Sequence, residues 1–141
     1  MRFLSSEWRE KVKIEIYLPE HLTVCANQNR LLQVLINLLQ NAFDALKEKS
    51  FAEGLEPMIS ITGKMDADKT FLIFRDNGGG IPQANLIKIF DPFFTTKDVG
   101  EGMGLGLSIC YQIVREYGGD IRVLSEPGKF AEFTLEFPTK R

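Results

Sequence analysis

The chain has little that would let a familiar chemistry be read from one residue type. It holds a single histidine, His21, in the turn after Pro19. No helix carries it and no partner stands beside it in sequence, so it reads as a surface turn residue rather than a base or phosphate acceptor. Only two cysteines occur, Cys25 and Cys110, far apart and each in an apolar run. They read as reduced core residues of a cytoplasmic protein, and no disulfide is expected. No apolar run approaches the ~18 residues that a membrane span needs. Met1 to Glu10 lacks the apolar stretch of a signal peptide. Internal repeats and low-complexity tracts are missing too. The formal net charge is only −2, which gives no electrostatic reason to expect nucleic acid or direct membrane contact. Familiar phosphate loops are also absent. There is no Gly-Lys-Ser/Thr ending, and Leu107 stands where a dinucleotide fingerprint would place its last glycine.

What remains is an ordinary globular composition, 44% hydrophobic and 26% charged over 141 residues. That is enough for one domain with a real core, expected to be monomeric. Residues 1–10 read as a linker into it. Residues 11–18 alternate apolar and polar, predicting a half-buried strand, and Leu22–Ala26 a short second one. Asn27 or Asn29 can cap a long helix running to about Lys49. Its dense apolar residues predict burial on most sides, with one polar stripe. Asn37, Asn41, Asp44 and Glu48 follow at spacings of four, three and four, so they share a face. Asparagines in a buried helix need partners. Either Asn37 and Asn41 satisfy each other or nearby backbone, or they line a wet pocket.

Further on, 58–62 and 71–75 read as strands, 83–90 as a short helix with Leu86, Ile87 and Phe90 on one side, and 105–117 as an amphipathic helix. Two closing strands lie at 121–124 and 130–137. The fold class is therefore α+β, a two-layer sandwich with helices on one face of a mixed, largely antiparallel sheet. Between these elements lie two glycine-rich stretches. Asp76-Asn77-Gly78-Gly79-Gly80-Ile81 opens backbone space around a carboxylate at a strand end, which can accept from a flat ligand. Gly100 to Ile109 alternates glycines and then starts a helix. Free N–H groups at a helix start suit an anion such as phosphate, although a flexible linker would look similar. The intervening 91–103, with Phe93 and Phe94, reads as a lid that docks part of the time.

These stretches together resemble a known family. Asn37-Leu-Leu-Gln-Asn41-Ala-Phe-Asp-Ala45 resembles the N box of the sensor histidine kinase catalytic domain. Asp76 to Ile81 resembles its first glycine box, Phe90 to Lys97 its F box, Gly102 to Leu107 its second glycine box, and Gly118-Gly119-Asp120-Ile121 the strand start after it. The Asp-Pro-Phe-Phe-Thr-Thr-Lys form is most similar to the nitrogen-regulation type. The resemblance spans roughly residues 11–138 and implies a Bergerat-type sandwich with an ATP lid at 91–103.

The resemblance further implies ATP and Mg²⁺ as ligands. Asn41 would coordinate the metal, and an amide oxygen is a suitable hard ligand. Asp76 would accept from the adenine amino group. Gly78, Gly80 and Ile81 would lie along the nucleotide. Gly102, Met103, Gly104, Leu105, Gly106 and Leu107 would wrap the phosphates, and Lys97 would approach them when the lid closes. Asn37 would border the phosphates where gyrase-like relatives carry a water-activating glutamate. An amide cannot take that proton, which favours a kinase over a self-sufficient ATPase.

By the same resemblance no catalytic nucleophile belongs to this chain. The phosphoacceptor histidine would come from a dimerisation domain, and the parent kinase, anchored in a membrane or not, would pass phosphate to the receiver domain of a response regulator. A silent ATP-binding pseudokinase and an anti-sigma-type serine kinase stay open as alternatives. Two departures stand out: Phe130-Ala131 replaces the Gly-Thr pair before the last strand, and Asp44 stands where many relatives have a lysine.

Overall fold

A computed structural model of the chain describes residues 12–47, 49, 51, 55–91 and 106–139. Five strands form one sheet in the order β1-β2-β3-β5-β4. They are β1 Lys13–Tyr17, β2 Met58–Asp66, β3 Lys69–Asp76, β4 Asp120–Glu126 and β5 Phe130–Pro138. Helix α1, Gln28–Lys47, connects β1 to the parallel β2; helix α2, Gly106–Glu116, precedes β4. The other three ladders are antiparallel. The mixed sheet with helices on one side is the α+β sandwich that the sequence predicts.

Period-two burial sets the layers. Thr70, Leu72, Phe74 and Asp76 of β3 are buried, as are Ala131, Phe133, Leu135 and Phe137 of β5. They face Val34 and Leu38 of α1 and Cys110, Ile113 and Val114 of α2. The same pleat that buries Leu72 and Phe74 turns Asp76 inward at the strand end. The opposite face carries charged pairs, such as Arg75 to Glu132 at 3.0 Å, with the Arg75 guanidinium 3.9 Å above the Phe130 ring. A second cluster, Val12, Ala42, Leu46 and Ile59, lies beneath the C-terminal half of α1.

Helix α1 starts as its cap predicts. Asn27 Oδ1 accepts from the amides of Asn29 and Arg30 at 2.9 and 3.1 Å. Its fully buried stripe is narrower than expected: Val34, Leu38, Ala42 and Leu46 recur every four residues, whereas Leu32 is exposed. Three other expectations need correction. β1 is not half-buried, because Ile14 and Ile16 are 44% and 58% exposed at the sheet edge. Leu22–Ala26 forms no strand. It runs as irregular chain, its Thr23 carbonyl accepting from Thr70 Oγ1 at 2.7 Å, while Leu22 and Val24 pack on the main core. The 83–90 stretch is a 3-10 turn at Gln83–Asn85 followed by further turns bonded three residues apart. That tighter winding turns Ile89 inward at 4% exposure and leaves Ile87 out at 88%. The predicted lid lies outside the described residues except Asp91, and residues 1–11, which include the whole predicted linker, lie outside them as well.

Candidate functional site

Helix α1 forms one wall along which three sequence segments meet. At its middle, Asn37 Nδ2 donates to the Gly106 carbonyl in the first turn of α2, a long contact of 3.4 Å. Two turns later, Ala45 touches the loop after β3: a Cβ placed on Gly78 would lie 3.0 Å from the Ala45 carbonyl carbon. Asn37 and Ala45 are thus ~12 Å apart along the axis. Asn41 sits between them on the same side, with its side chain half-buried. Among the described residues that side chain has no hydrogen-bond partner. The Asn37 contact is the backbone alternative of the sequence reading.

At the Ala45 end stands Asp76, only 3% exposed. Its Oδ1 accepts from the Gly78 amide at 2.9 Å. Its second oxygen has no protein donor among the described residues. Burial pushes this carboxyl up to about 6, against the Gly78 amide and the positive charges of Lys49 and Arg75, which pull it down. A buried carboxylate oxygen without a partner is costly, and an exocyclic amino group of a purine would supply the missing donor. The residues present therefore fit an adenine at this end.

The first glycine box is shaped by protein contacts rather than by free space alone. Gly80 takes φ +73°, and a Cβ there would lie 2.6 Å from the Glu126 carbonyl oxygen. Ile81 donates its amide to Ser125 Oγ at 2.6 Å, and that hydroxyl also donates to the Phe130 carbonyl at 3.0 Å. The Gly128 amide reaches Gly79 O at 2.6 Å. The box is thus tied to the β4–β5 hairpin. Gly78, Gly80 and Ile81 are brought to the site, but each also has a structural task. Sequence reasoning missed Ser125, which no motif marks.

Of the second glycine box, only Gly106 and Leu107 are described, at the start of α2, where Leu107 packs against the core. Lys97, Gly102, Met103, Gly104 and Leu105 lie outside the described residues. Cys110 sits behind this end, its thiol pushed up to about 12 by burial. That makes it an inert core residue, as read from the sequence. His21 is exposed in its turn.

Ala131 lies directly across from Asp76 in the β3–β5 ladder and is 4% exposed. This register puts the Phe130-Ala131 departure beside the carboxylate. A threonine there would bring a hydroxyl near Asp76, able to hold a water against the base. Ala131→Thr is expected to tighten nucleotide binding several-fold, one hydrogen bond contributing about 0.5–1.5 kcal/mol. Calorimetric titration with ADP checks it; an unchanged Kd would remove the water from the account.

A buried carboxylate aimed between a crossover helix and a glycine box, with a second helix start two turns away, defines a nucleotide-binding α+β domain. Residues 26–141 match the histidine kinase-, DNA gyrase B-, and HSP90-like ATPase family, and the chain belongs to it. Within that family its relatives are sensor kinases. It is 40% identical over 121 residues to sensor histidine kinase ZraS of Escherichia coli K12, a match covering 86% of this chain and 23% of ZraS. The catalytic domain of histidine kinase ThkA superposes with a TM-score of 0.78 at 35% identity, covering 94% of this chain and 84% of that one. Full-length ShkA in complex with AMPPNP superposes with a TM-score of 0.76 at 28% identity, covering 92% of this chain and 26% of ShkA. The chain is thus a histidine kinase-type ATP-binding catalytic domain, and it spans less than a quarter of the length of ZraS.

Proposed function

We propose that the chain transfers the γ-phosphoryl group of Mg-ATP to a histidine nitrogen of a separate dimerisation domain. In that step the bond between the γ-phosphorus and its bridging oxygen breaks, a P–N bond forms, and ADP leaves. The receiver domain of a response regulator would take the phosphoryl group next, through the parent kinase. The single observation that carries the reading is the open Asp76 oxygen held at one end of a helix wall whose other end meets the start of α2. Asn37 supports transfer over hydrolysis, since its amide donates to Gly106 O and cannot accept a proton from water. The AMPPNP bound to ShkA is consistent with the same ligand class here. Sequence alone supports the finer points: Lys97 and residues 102–105 around the phosphates, and the nitrogen-regulation subtype.

Mg²⁺ fits Asn41, whose amide oxygen has no protein partner among the described residues and lies between the adenine and phosphate ends. When bound, the metal would neutralise phosphate charge, which together with positioning carries most of phosphoryl-transfer catalysis. Asn41→Ala is expected to weaken ATP binding in magnesium about tenfold and to leave binding in EDTA unchanged. Equal loss in both buffers would remove Asn41 from the metal.

The test of the whole reading mixes the purified chain with a separately made dimerisation domain and labelled ATP. Acid-labile phosphohistidine supports the proposal. Tight ATP binding without transfer would favour a pseudokinase, and acid-stable phosphoserine on a small partner an anti-sigma-type kinase. Among the described residues no helix is long and apolar enough to cross a membrane. Cytoplasmic residence of this domain is part of the proposal, as is its being monomeric in isolation.

A further inference from the structure

We propose that Lys49, which belongs to none of the sequence boxes, is a positioning residue for the nucleotide base, acting on Asp76 through a single peptide group. The inference rests on the nucleotide reading above. Two residues beyond the end of α1, the half-buried Lys49 ammonium donates to Asn77 O at 2.9 Å and to Gly78 O at 3.3 Å. It also lies 4.9 Å from the centre of the Phe51 ring.

Asn77 C=O and Gly78 N–H are the two ends of one peptide plane. Lys49 binds its oxygen, and its N–H donates to Asp76 Oδ1 at 2.9 Å. A cation on the carbonyl polarises the amide and strengthens its N–H as a donor. The positive charge of Lys49 also reaches Asp76 directly through space. Both effects favour the ionised carboxylate, which is the form that can only accept. Both also hold Oδ1 in place, so that the second oxygen keeps its aim.

A plain structural role for Lys49 would be to tie the end of α1 to the loop. The loop itself is already held without Lys49, to the chain entering β2, since the Asn77 side chain accepts from the Met58 amide at 2.7 Å and donates to Glu56 O at 3.0 Å. The other charge facing Asp76 is Arg75 from β3. It is engaged on the opposite sheet face with Glu132 and Phe130, so it cannot substitute for Lys49 on the Asn77–Gly78 peptide.

The test compares the 141-residue chain with Lys49→Met, Lys49→Gln and Lys49→Arg. The Asp76 carboxyl is titrated by carbon NMR without nucleotide, and ADP affinity is measured across pH. Lys49→Met is expected to raise the Asp76 midpoint by about one unit and to move the acidic limb of ADP binding upward with it. Affinity at pH 6 should fall several-fold, and Lys49→Arg should restore both. Lys49→Gln keeps a donor without the charge and is expected to follow Lys49→Met in the titration, even if the methionine variant folds poorly. If the wild-type chain binds ADP and neither neutral variant moves the midpoint or the limb, the Lys49 role is overturned alone. If the wild-type chain binds no ADP, the nucleotide reading falls, and the role given to Lys49 falls with it.

Discussion

Asp76→Asn is expected to make the domain more stable and less able to bind nucleotide. The carboxyl is raised from 3.8 to about 6 by burial, so the folded protein holds this proton more tightly than the unfolded chain. Above pH 6 the folded state carries a buried charge, which costs stability. That cost shrinks as pH falls through 6 toward 4 and is absent below both values. At about 1.4 kcal/mol per unit, it reaches ~3 kcal/mol at neutral pH. Asparagine removes the charge and keeps an oxygen for the Gly78 amide. The melting temperature at pH 7.5 should therefore rise by about 5 °C or more, with the gain disappearing near pH 4.

Nucleotide binding should move the other way. The side-chain amide introduced by Asp76→Asn would turn a donor toward the adenine amino group, and mispaired buried donors discriminate by ~100-fold or more. Adenine preference over guanine should erode in parallel. The wild-type domain should itself lose ADP affinity as pH drops through 6, because the protonated carboxyl becomes a donor. Scanning calorimetry from pH 4 to 8 and isothermal titration from pH 5 to 8 read the two effects. A variant that melts lower than wild type at pH 7.5, or that keeps its ADP affinity, would contradict the burial account or the base contact respectively.

Gly80→Ala is expected to destabilise the domain by about 2–5 kcal/mol. The left-handed conformation, φ +73°, costs an L-residue about 1–2 kcal/mol. The added methyl would lie 2.6 Å from Glu126 O and 3.0 Å from Phe130 O. Both are backbone atoms of the β4–β5 hairpin, so no side-chain rotation relieves the contact, and overpacking of this kind costs ~1–3 kcal/mol more. The glycine box should then part from the hairpin, exposing the Ile81 amide now bonded to Ser125. Gly79→Ala is the control: a Cβ there meets nothing within 4 Å. Urea unfolding and hydrogen exchange at Ile81 separate the two. Equal midpoints for both variants would show that Gly80 is present for ligand approach and not for packing.

Much of the architecture was legible because period and caps are local. The alternation of Phe133, Leu135 and Phe137, the Asn27 cap and the apolar stripe of α1 each follow from neighbours in the chain. The sheet hairpin was read too short because its tip is Ala67 at φ +53°, a residue that carries no turn signal, so β2 and β3 run on to Asp66 and back from Lys69. Leu22 and Val24 have strand-like residues but no ladder partner, which composition does not reveal. Ile87 was misplaced because windings of three and of 3.6 residues per turn turn different residues inward.

For the site, residue types and order alone determined that a carboxylate at a strand end, an asparagine stripe and glycine-rich turns belong to one kind of domain. Only the tertiary structure decided what those residues do to each other. Asn37 reaches Gly106 from 69 positions away, Gly80 makes room for a hairpin carbonyl, and Lys49 grips the peptide that steadies Asp76. Such contacts depend on how helix and sheet are stacked, and a linear pattern encodes which faces are apolar but not which distant backbone atoms those faces bring within hydrogen-bond reach.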